Sequence, residues 1–359
     1  MSLWPQKTWG AWLSATNSAL NRPSAAIYGC SGLTLTDAEQ AFFKTSDPLG
    51  FILFARNVDT PEQVRALTSD LRTCVGRNAP VLIDQEGGRV QRLRPPHWRS
   101  APPLRQFGDL FARDPDRALK AVRINMQAIG VELADLGIDV DCAPCLDVPV
   151  PGAHDVIGNR ALSEDPKVVA ALAAAACDGL IDAGVVPVIK HLPGHGRAGV
   201  DSHKELPVVD ADDDALSSSD LAPFQAVAEM PVAAMTAHVV YDAFDAEQTA
   251  TLSKTVISDV IRKRIGFGGL LMSDDLGMKA LKGSFEDLAT GCLEAGCDIA
   301  LHCSGVLPEM EQIAAGSTAL SDHAYQATKV LDEYRGLARI EIDRTAVSFE
   351  VASLLEVAA

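Results

Sequence analysis

Eight short apolar runs recur along the chain, rich in Val, Ile, Leu and Ala: Ala26–Gly29, Gly50–Phe54, Pro80–Asp84, Ile138–Pro144, Val185–Lys190, Val232–Ala237, Gly268–Ser273 and Asp298–His302. Each is short, apolar and rich in β-branched residues or Leu, the composition of a strand. Helical patterns separate them, so the chain reads strand, helix, strand, helix.

The breaks between runs are chemically marked. Thr60-Pro61-Glu62-Gln63 offers an N-cap, a proline at the first helical position and a Gln to complete a capping box. Asp114-Pro115 and Asp165-Pro166 repeat the cap-then-proline device, and Gly137, Gly184 and Gly296 each close a helical stretch before the next strand. Strand–helix alternation implies a parallel sheet, and eight units predict closure into a single (β/α)8 TIM-type barrel, an α/β fold. A doubly wound open sheet is the rival. It usually carries G-x-G-x-x-G after its first strand, whereas this chain has Gly29-Cys30-Ser31-Gly32. From Leu307 onward the pattern is helical and amphipathic, which supplies extra C-terminal helices but no further domain. The expectation is one (β/α)8 catalytic domain over residues 24–359 behind an N-terminal arm, residues 1–23.

That arm holds Trp4, Trp9 and Trp12, broken by Pro5 and Gly10. It lacks both the basic start and the continuous apolar stretch of a secretory signal. The chain has 359 residues, 47% hydrophobic and 5% aromatic, enough for a large aliphatic core. Its formal charge of −17, from 31 basic and 48 acidic residues, contains no long run of one sign. An acidic surface of this kind argues against nucleic acid and anionic membrane as partners. The 8 cysteines lack the spacing of a disulfide scaffold, and Cys142 and Cys145 have no second pair to complete a zinc ribbon. Reduced thiols and a cytoplasmic protein are the expectation. No apolar stretch is long enough for a membrane helix.

In a barrel the strand C-termini converge on one face, so polar residues there share a pocket. The third strand runs into Asp84-Gln85-Glu86-Gly87-Gly88-Arg89-Val90-Gln91-Arg92. The fourth leads to Asp147 and then Asn159-Arg160; the fifth ends in Lys190-His191; the sixth gives His238; the seventh gives Ser273-Asp274-Asp275. A charge at the end of a buried strand is costly unless it is paired or functional. His238 is open between a core hydrogen bond and a place in the pocket. Asp147 and Glu86 are open between touching substrate and pairing with Arg. Alternation along a strand implies that only one of Asp274 and Asp275 enters the pocket.

The densest stretch is Lys190-His191-Leu192-Pro193-Gly194-His195-Gly196, followed by Asp201-Ser202-His203. Its histidines fit neither the H-E-x-x-H spacing nor a compact Cys/His site, so neither a metal nor another cofactor is expected. No serine sits in a G-x-S-x-G elbow. A carboxylate and a histidine remain, with Arg and Lys to hold a polar ligand, and this equipment suits covalent glycosyl transfer. Gly194, Gly196 and Gly199 would let the loop swing His203 toward a leaving group and away.

These segments, with Ile157-Gly158-Asn159-Arg160 and Ser273-Asp274-Asp275-Leu276, resemble the bacterial β-N-acetylhexosaminidases of glycoside hydrolase family 3 from about Ala25 to about Ile340. Leu192 stands where that family more often has Phe, and residues 1–23 have no recognisable counterpart. The resemblance implies a retaining mechanism with Asp274 as nucleophile and His203, oriented by Asp201, as general acid and base. It implies that Asp84, Arg92, Arg160, Lys190 and His191 hold the sugar. It also implies exo-acting removal of N-acetylglucosamine from cytoplasmic peptidoglycan fragments, in which the sugar is joined to anhydro-N-acetylmuramic acid with or without peptide. Chitin oligomers are the alternative substrate. Phosphorolysis stays open, since a neutral His repels phosphate less than a carboxylate would. A non-catalytic sugar sensor on the same barrel and a zinc hydrolase are further alternatives.

Overall fold

The computed structural model describes residues 22–337, 340 and 343–356. All eight predicted runs form strands of one parallel barrel: β1 (Ser24–Gly29), β2 (Pro48–Leu53), β3 (Val81–Ile83), β4 (Val140–Asp141), β5 (Val186–Leu192), β6 (Ala233–Thr236), β7 (Leu271–Met272) and β8 (Ala300–His302). Neighbours follow sequence order from β1 to β7, and β8 lies beside β1. The remaining seam, β7 to β8, is joined by a parallel bridge between Met272 and Ile299 and by the Asp298 N–H donating to the Leu271 carbonyl at 2.7 Å. A doubly wound sheet would leave two open edges; this order leaves none.

Several strands are shorter than their apolar runs, because side chains take over the ladder. The Val81 N–H donates to Asp139 Oδ1 at 2.9 Å, and the Leu271 N–H donates to Asp298 Oδ2 at 2.8 Å. At the C-terminal ends the Gln85 N–H donates to Asp141 Oδ1 and the Leu301 N–H to Ser273 Oγ, both at 2.9 Å. The backbone is therefore released into loops where the barrel opens. Burial supplies the driving force: every residue of β2 and β5 is buried, and the core is dominated by Leu, Ile, Val and Ala.

The outer helices begin as expected. Thr60 Oγ1 accepts the Gln63 N–H at 3.2 Å, Asp114 caps through the Arg117 N–H, and Asp165 through the Lys167 N–H. The box at Thr60 differs in one respect: the Gln63 side chain accepts from the Asp59 N–H, one residue before the cap. Gly137, Gly184 and Gly296 all have positive φ, as left-handed helix termini require. After β8 come helices Leu307–Gly316, Asp322–Asp332 and Arg344–Leu355. Of the N-terminal arm, residues 1–21 lie outside the described residues; the Arg22 guanidinium donates to the Leu320 carbonyl at 3.2 Å. Among the described residues no helix is long and apolar enough to cross a membrane. All eight cysteines are unpaired thiols, and all but Cys74 are buried.

Two insertions build the mouth. A short hairpin, Gln85–Gly87 with Val90–Gln91, follows β3. A small sheet of Val208–Val209, Val240–Tyr241 and Asp245–Thr249 ties the loops after β5 and β6 together.

Candidate active site

A cavity of about 640 Å³ opens at the C-terminal ends of the strands, and its walls include Asp84, Arg92, Arg160, Lys190, His191, Asp201, His203 and Asp274. All eight sequence-predicted site residues thus meet in one place. A larger groove of about 1030 Å³ lies near the starts of β1 and β2, but it is lined by no histidine and by one carboxylate, Asp47. The chemistry is concentrated at the first cavity.

One wall is a chain of alternating charges. Arg92 reaches Asp84 at 2.9 Å, Asp84 reaches Lys190 Nζ at 2.9 Å, Lys190 reaches Glu86 at 2.7 Å, and Glu86 reaches Arg160 at 2.8 Å. The strand end after β3 supplies both acids, and β5 supplies the lysine between them. Burial alone would raise the pKa of each carboxyl, but the adjacent cations outweigh it. Lys190 and Arg92 hold Asp84 well below the usual range, and Arg160 and Lys190 bring Glu86 down to about 2. Burial likewise disfavours a charged Lys190, yet Asp84 and Glu86 keep it protonated far above its ordinary value. Glu86 therefore pairs with Arg160, and with Lys190 as well.

Asp147 serves histidines instead of arginine. It is fully buried; Oδ2 lies 2.7 Å from His191 Nδ1, and Oδ1 accepts the backbone N–H of His195 at 2.6 Å. Burial opposes its ionisation, but the His191 charge and hydrogen bond, helped by His195, hold its carboxyl well below the usual range. An ionised carboxylate only accepts, so Nδ1 of His191 carries the proton and the other ring nitrogen is left for the cavity. Cys145 Sγ also donates to Asp147 Oδ2, at 3.2 Å, which brings possible ligand atoms of Cys145, Asp147 and His191 within 4.8 Å of one another. The sequence reading did not anticipate this trio, and its atoms are committed to each other by hydrogen bonds.

The loop after β5 carries a second carboxylate–imidazole pair. His203 Nδ1 is 2.9 Å from Asp201 Oδ1, and the His203 backbone N–H donates to the same oxygen at 3.0 Å. Burial raises the Asp201 pKa, but the two hydrogen bonds from His203, with the charges of His203 and Lys204, together more than reverse this. By the same argument Nδ1 of His203 is protonated and Nε2 is the atom free to exchange protons. The His203 side chain is 63% exposed. Between the two pairs sits His195, whose Nε2 meets Ser202 Oγ at 3.0 Å. Burial drives the His195 pKa down to about 4, so it is a neutral strut that holds Ser202 in the middle of the Asp-Ser-His turn.

The glycines of this loop differ from expectation. A Cβ on Gly196 would lie 2.0 Å from the Val148 carbonyl oxygen, and one on Gly194 would lie 2.9 Å from Asp220 Cβ. The Gly194 carbonyl also accepts from Tyr241 Oη at 2.6 Å. Neighbours press against both, and Gly194 in addition has a positive φ of 137°, a conformation that side chains rarely adopt. Only Gly199 stands in open space.

Asp274 follows β7 and is half-buried, with Oδ1 accepting the Asp275 N–H at 2.8 Å. Burial raises its pKa, but His191, His238, that N–H and His203 together hold it below the usual carboxylate value. It is therefore an anion close enough to His203 to feel its charge. Asp275 corrects the alternation argument: it also lines the cavity, because β7 ends at Met272 and strand geometry no longer governs the pair. Its Oδ1 accepts from Gly277 and Cys303 N–H groups. His238 takes the structural option, bonded to Thr251 Oγ1 at 2.7 Å and to the Asp275 carbonyl at 2.9 Å, beneath the cavity floor. Arg89, part of the polar stretch after the third strand, also lines the cavity, and so do Arg56 and Ser304, which were missed. Arg56 and Ser304 follow β2 and β8 directly, so the strand-end rule would have found both had it been applied to every strand.

Residues 28–331 match the model of the glycosyl hydrolase family 3 N-terminal domain. A "Beta-hexosaminidase" of Aromatoleum aromaticum is 39% identical over 279 residues, covering 76% of this chain and 77% of that protein. Native NagZ from Neisseria gonorrhoeae superposes with a TM-score of 0.84 at 30% identity, over 93% of this chain and 98% of that one. The same enzyme in complex with N-trifluoroacetyl-D-glucosamine also gives 0.84 at 30% identity, over 93% and 99% of the two chains.

Proposed function

Because this chain belongs to glycoside hydrolase family 3 and is a β-hexosaminidase by its relatives, we propose that it removes terminal β-linked N-acetylglucosamine from peptidoglycan fragments in the cytoplasm. The observation that carries the reading is the shared cavity of an ionised Asp274 and a solvent-reaching His203 whose Nδ1 is fixed by Asp201.

In this reading Asp274 attacks the anomeric carbon while His203 Nε2–H protonates the departing glycosidic oxygen. The C–O bond to the aglycone breaks, and a glycosyl ester forms on Asp274. Water then attacks the same carbon, Nε2 takes its proton, and Asp274 leaves as carboxylate. Two displacements return the β-anomer. Asp84, Arg92, Arg160, Lys190 and His191 hold ring hydroxyls and the acetamido arm from the opposite wall. The charges on that wall are already fixed in place, so they need little reorganisation as substrate enters.

The test is incubation with purified N-acetylglucosaminyl-anhydro-N-acetylmuramic acid, with and without peptide. Products are identified by mass, and the first-formed anomer by proton NMR. Free N-acetylglucosamine released as the β-anomer is the expected result; α-anomer would exclude the double displacement. Running the assay in phosphate and looking for the sugar 1-phosphate separates hydrolysis from phosphorolysis.

A further inference from the structure

Five Arg or Lys side chains line the cavity: Arg56, Arg89, Arg92, Arg160 and Lys190. Four have carboxylate partners: Asp155 for Arg89, Asp84 for Arg92, Glu86 for Arg160, and both Asp84 and Glu86 for Lys190. Among the described residues, no carboxylate lies within ion-pair distance of Arg56. Yet Arg56 is held in place. Its Nε donates to the Cys30 carbonyl at 2.9 Å, Nη2 donates to the Cys303 carbonyl, and the guanidinium carbon lies 5.0 Å from the centroid of the Phe54 ring. Room for it is made at β1: a Cβ on Gly29 would stand 2.8 Å from Nη2. Carbonyls orient a guanidinium without neutralising it, so a fixed positive charge with no ion-pair partner of its own faces the cavity.

Arg92 lies against the same ring, 5.4 Å from its centroid. Phe54 therefore sets Arg56 next to the sugar-holding wall, where its guanidinium is held between the segments that follow β1 and β8. A rigid planar cation with free N–H groups, in an otherwise acidic protein, is built for a carboxylate. We propose that Arg56 is a specificity-determining residue that binds a carboxylate on the aglycone, the part of the substrate that leaves. The inference rests on the proposed hydrolysis of N-acetylglucosaminides and adds the charge of the group beyond the scissile bond. The lactyl group of a peptide-free muramic acid is such a carboxylate; joined to a peptide it is a neutral amide, and a chitin oligomer has none.

The test is a chemical cycle on the full-length protein. The wild type, R56Q and R56K are compared on N-acetylglucosaminyl-anhydro-N-acetylmuramic acid, on its methyl ester, and on chitobiose. For the wild type, esterification should lower kcat/KM about tenfold, the scale of a charge-assisted pair. R56Q should lower the ratio of free-acid to ester kcat/KM to near one, with R56K between. A wild type and R56Q that show the same free-acid to ester ratio would overturn the assignment. So would R56Q losses equal on all three substrates, which would make Arg56 a structural pin between β1 and β8. A wild type that cleaves none of them would instead refute the proposed hydrolysis itself.

Discussion

The Asp147 carboxylate accepts from both the His191 ring at 2.7 Å and the His195 backbone at 2.6 Å, so one buried side chain fixes two consecutive parts of the mouth. Its removal strands buried donors without water to replace it. Asp147→Ala should cost about 2–4 kcal/mol of stability, read from urea midpoints. It should also lower turnover, because His191 loses the partner that sets its tautomer. An unchanged midpoint would show that solvent reaches this cluster and that burial is not its organising force.

The two proposed catalytic groups should separate by leaving group. Asp274→Ala removes the attacking atom and should reduce kcat by at least about 10⁴-fold on any substrate. His203→Ala should lose roughly 10²–10⁴-fold on a natural disaccharide, and much less on a nitrophenyl glycoside whose leaving group needs no proton. If both substrates fall equally with His203→Ala, the proton donor must be sought elsewhere on the cavity wall.

The loop glycines make a paired prediction. Gly196→Ala forces a methyl into the Val148 backbone and should destabilise by about 1–3 kcal/mol. Gly199→Ala meets nothing, so its stability should stay within about 0.5 kcal/mol of wild type. Thermal unfolding of the two variants side by side decides the matter; equal losses would mean that the loop is packed along its whole length.

Asp141 links pH to stability. Burial, aided by the charges of Asp84 and Glu86, pushes its carboxyl up to about 8 against the pull of the Gln85 N–H and Lys190. Its Oδ2 has no hydrogen-bond partner. An unfolded aspartate loses its proton near pH ~4, so between about 4 and 8 the native state holds a proton that the unfolded chain has released. The Asp141 contribution to stability should therefore fall as pH rises through that window, while His195, whose folded value near 4 lies below the ordinary ~6.5, works in the opposite sense below about 6.5. Asp84 and Glu86 are shifted downward and act only in acid. Asp141→Asn should make the slope of urea midpoint against pH between about 5 and 8 more positive than in the wild type; parallel slopes for variant and wild type would exclude Asp141 as a contributor.

The barrel was legible because most of its buried strands are short apolar runs with a glycine or a cap-plus-proline beside them; the fourth, Ile138–Pro144, is broken by Asp139 and Asp141. The site was legible for a related reason: Asp84, Lys190 and Asp274 are charges placed where such runs end, and a charge there needs an explanation. What the sequence concealed was partnership. Nothing local says that Asp147 serves histidines, that Glu86 bridges Arg160 and Lys190, or that His195 is a neutral strut, because each choice depends on loops from different strands meeting. Asp275 misled through an assumed strand that stops at Met272. Gly196 was hard to read because glycine that yields space and glycine that yields freedom look identical in a sequence.

The alternating series Arg92–Asp84–Lys190–Glu86–Arg160 has an evolutionary implication. Each interior member answers to two neighbours: replacing Asp84 or Glu86 strands the arginine beyond it, and replacing Lys190 takes a cation from two buried acids at once. Such positions are expected to change together or not at all. Anyone seeking to retarget this barrel to another sugar should plan compensated pairs from the outset, since a search one residue at a time would meet unstable intermediates before it met a new specificity.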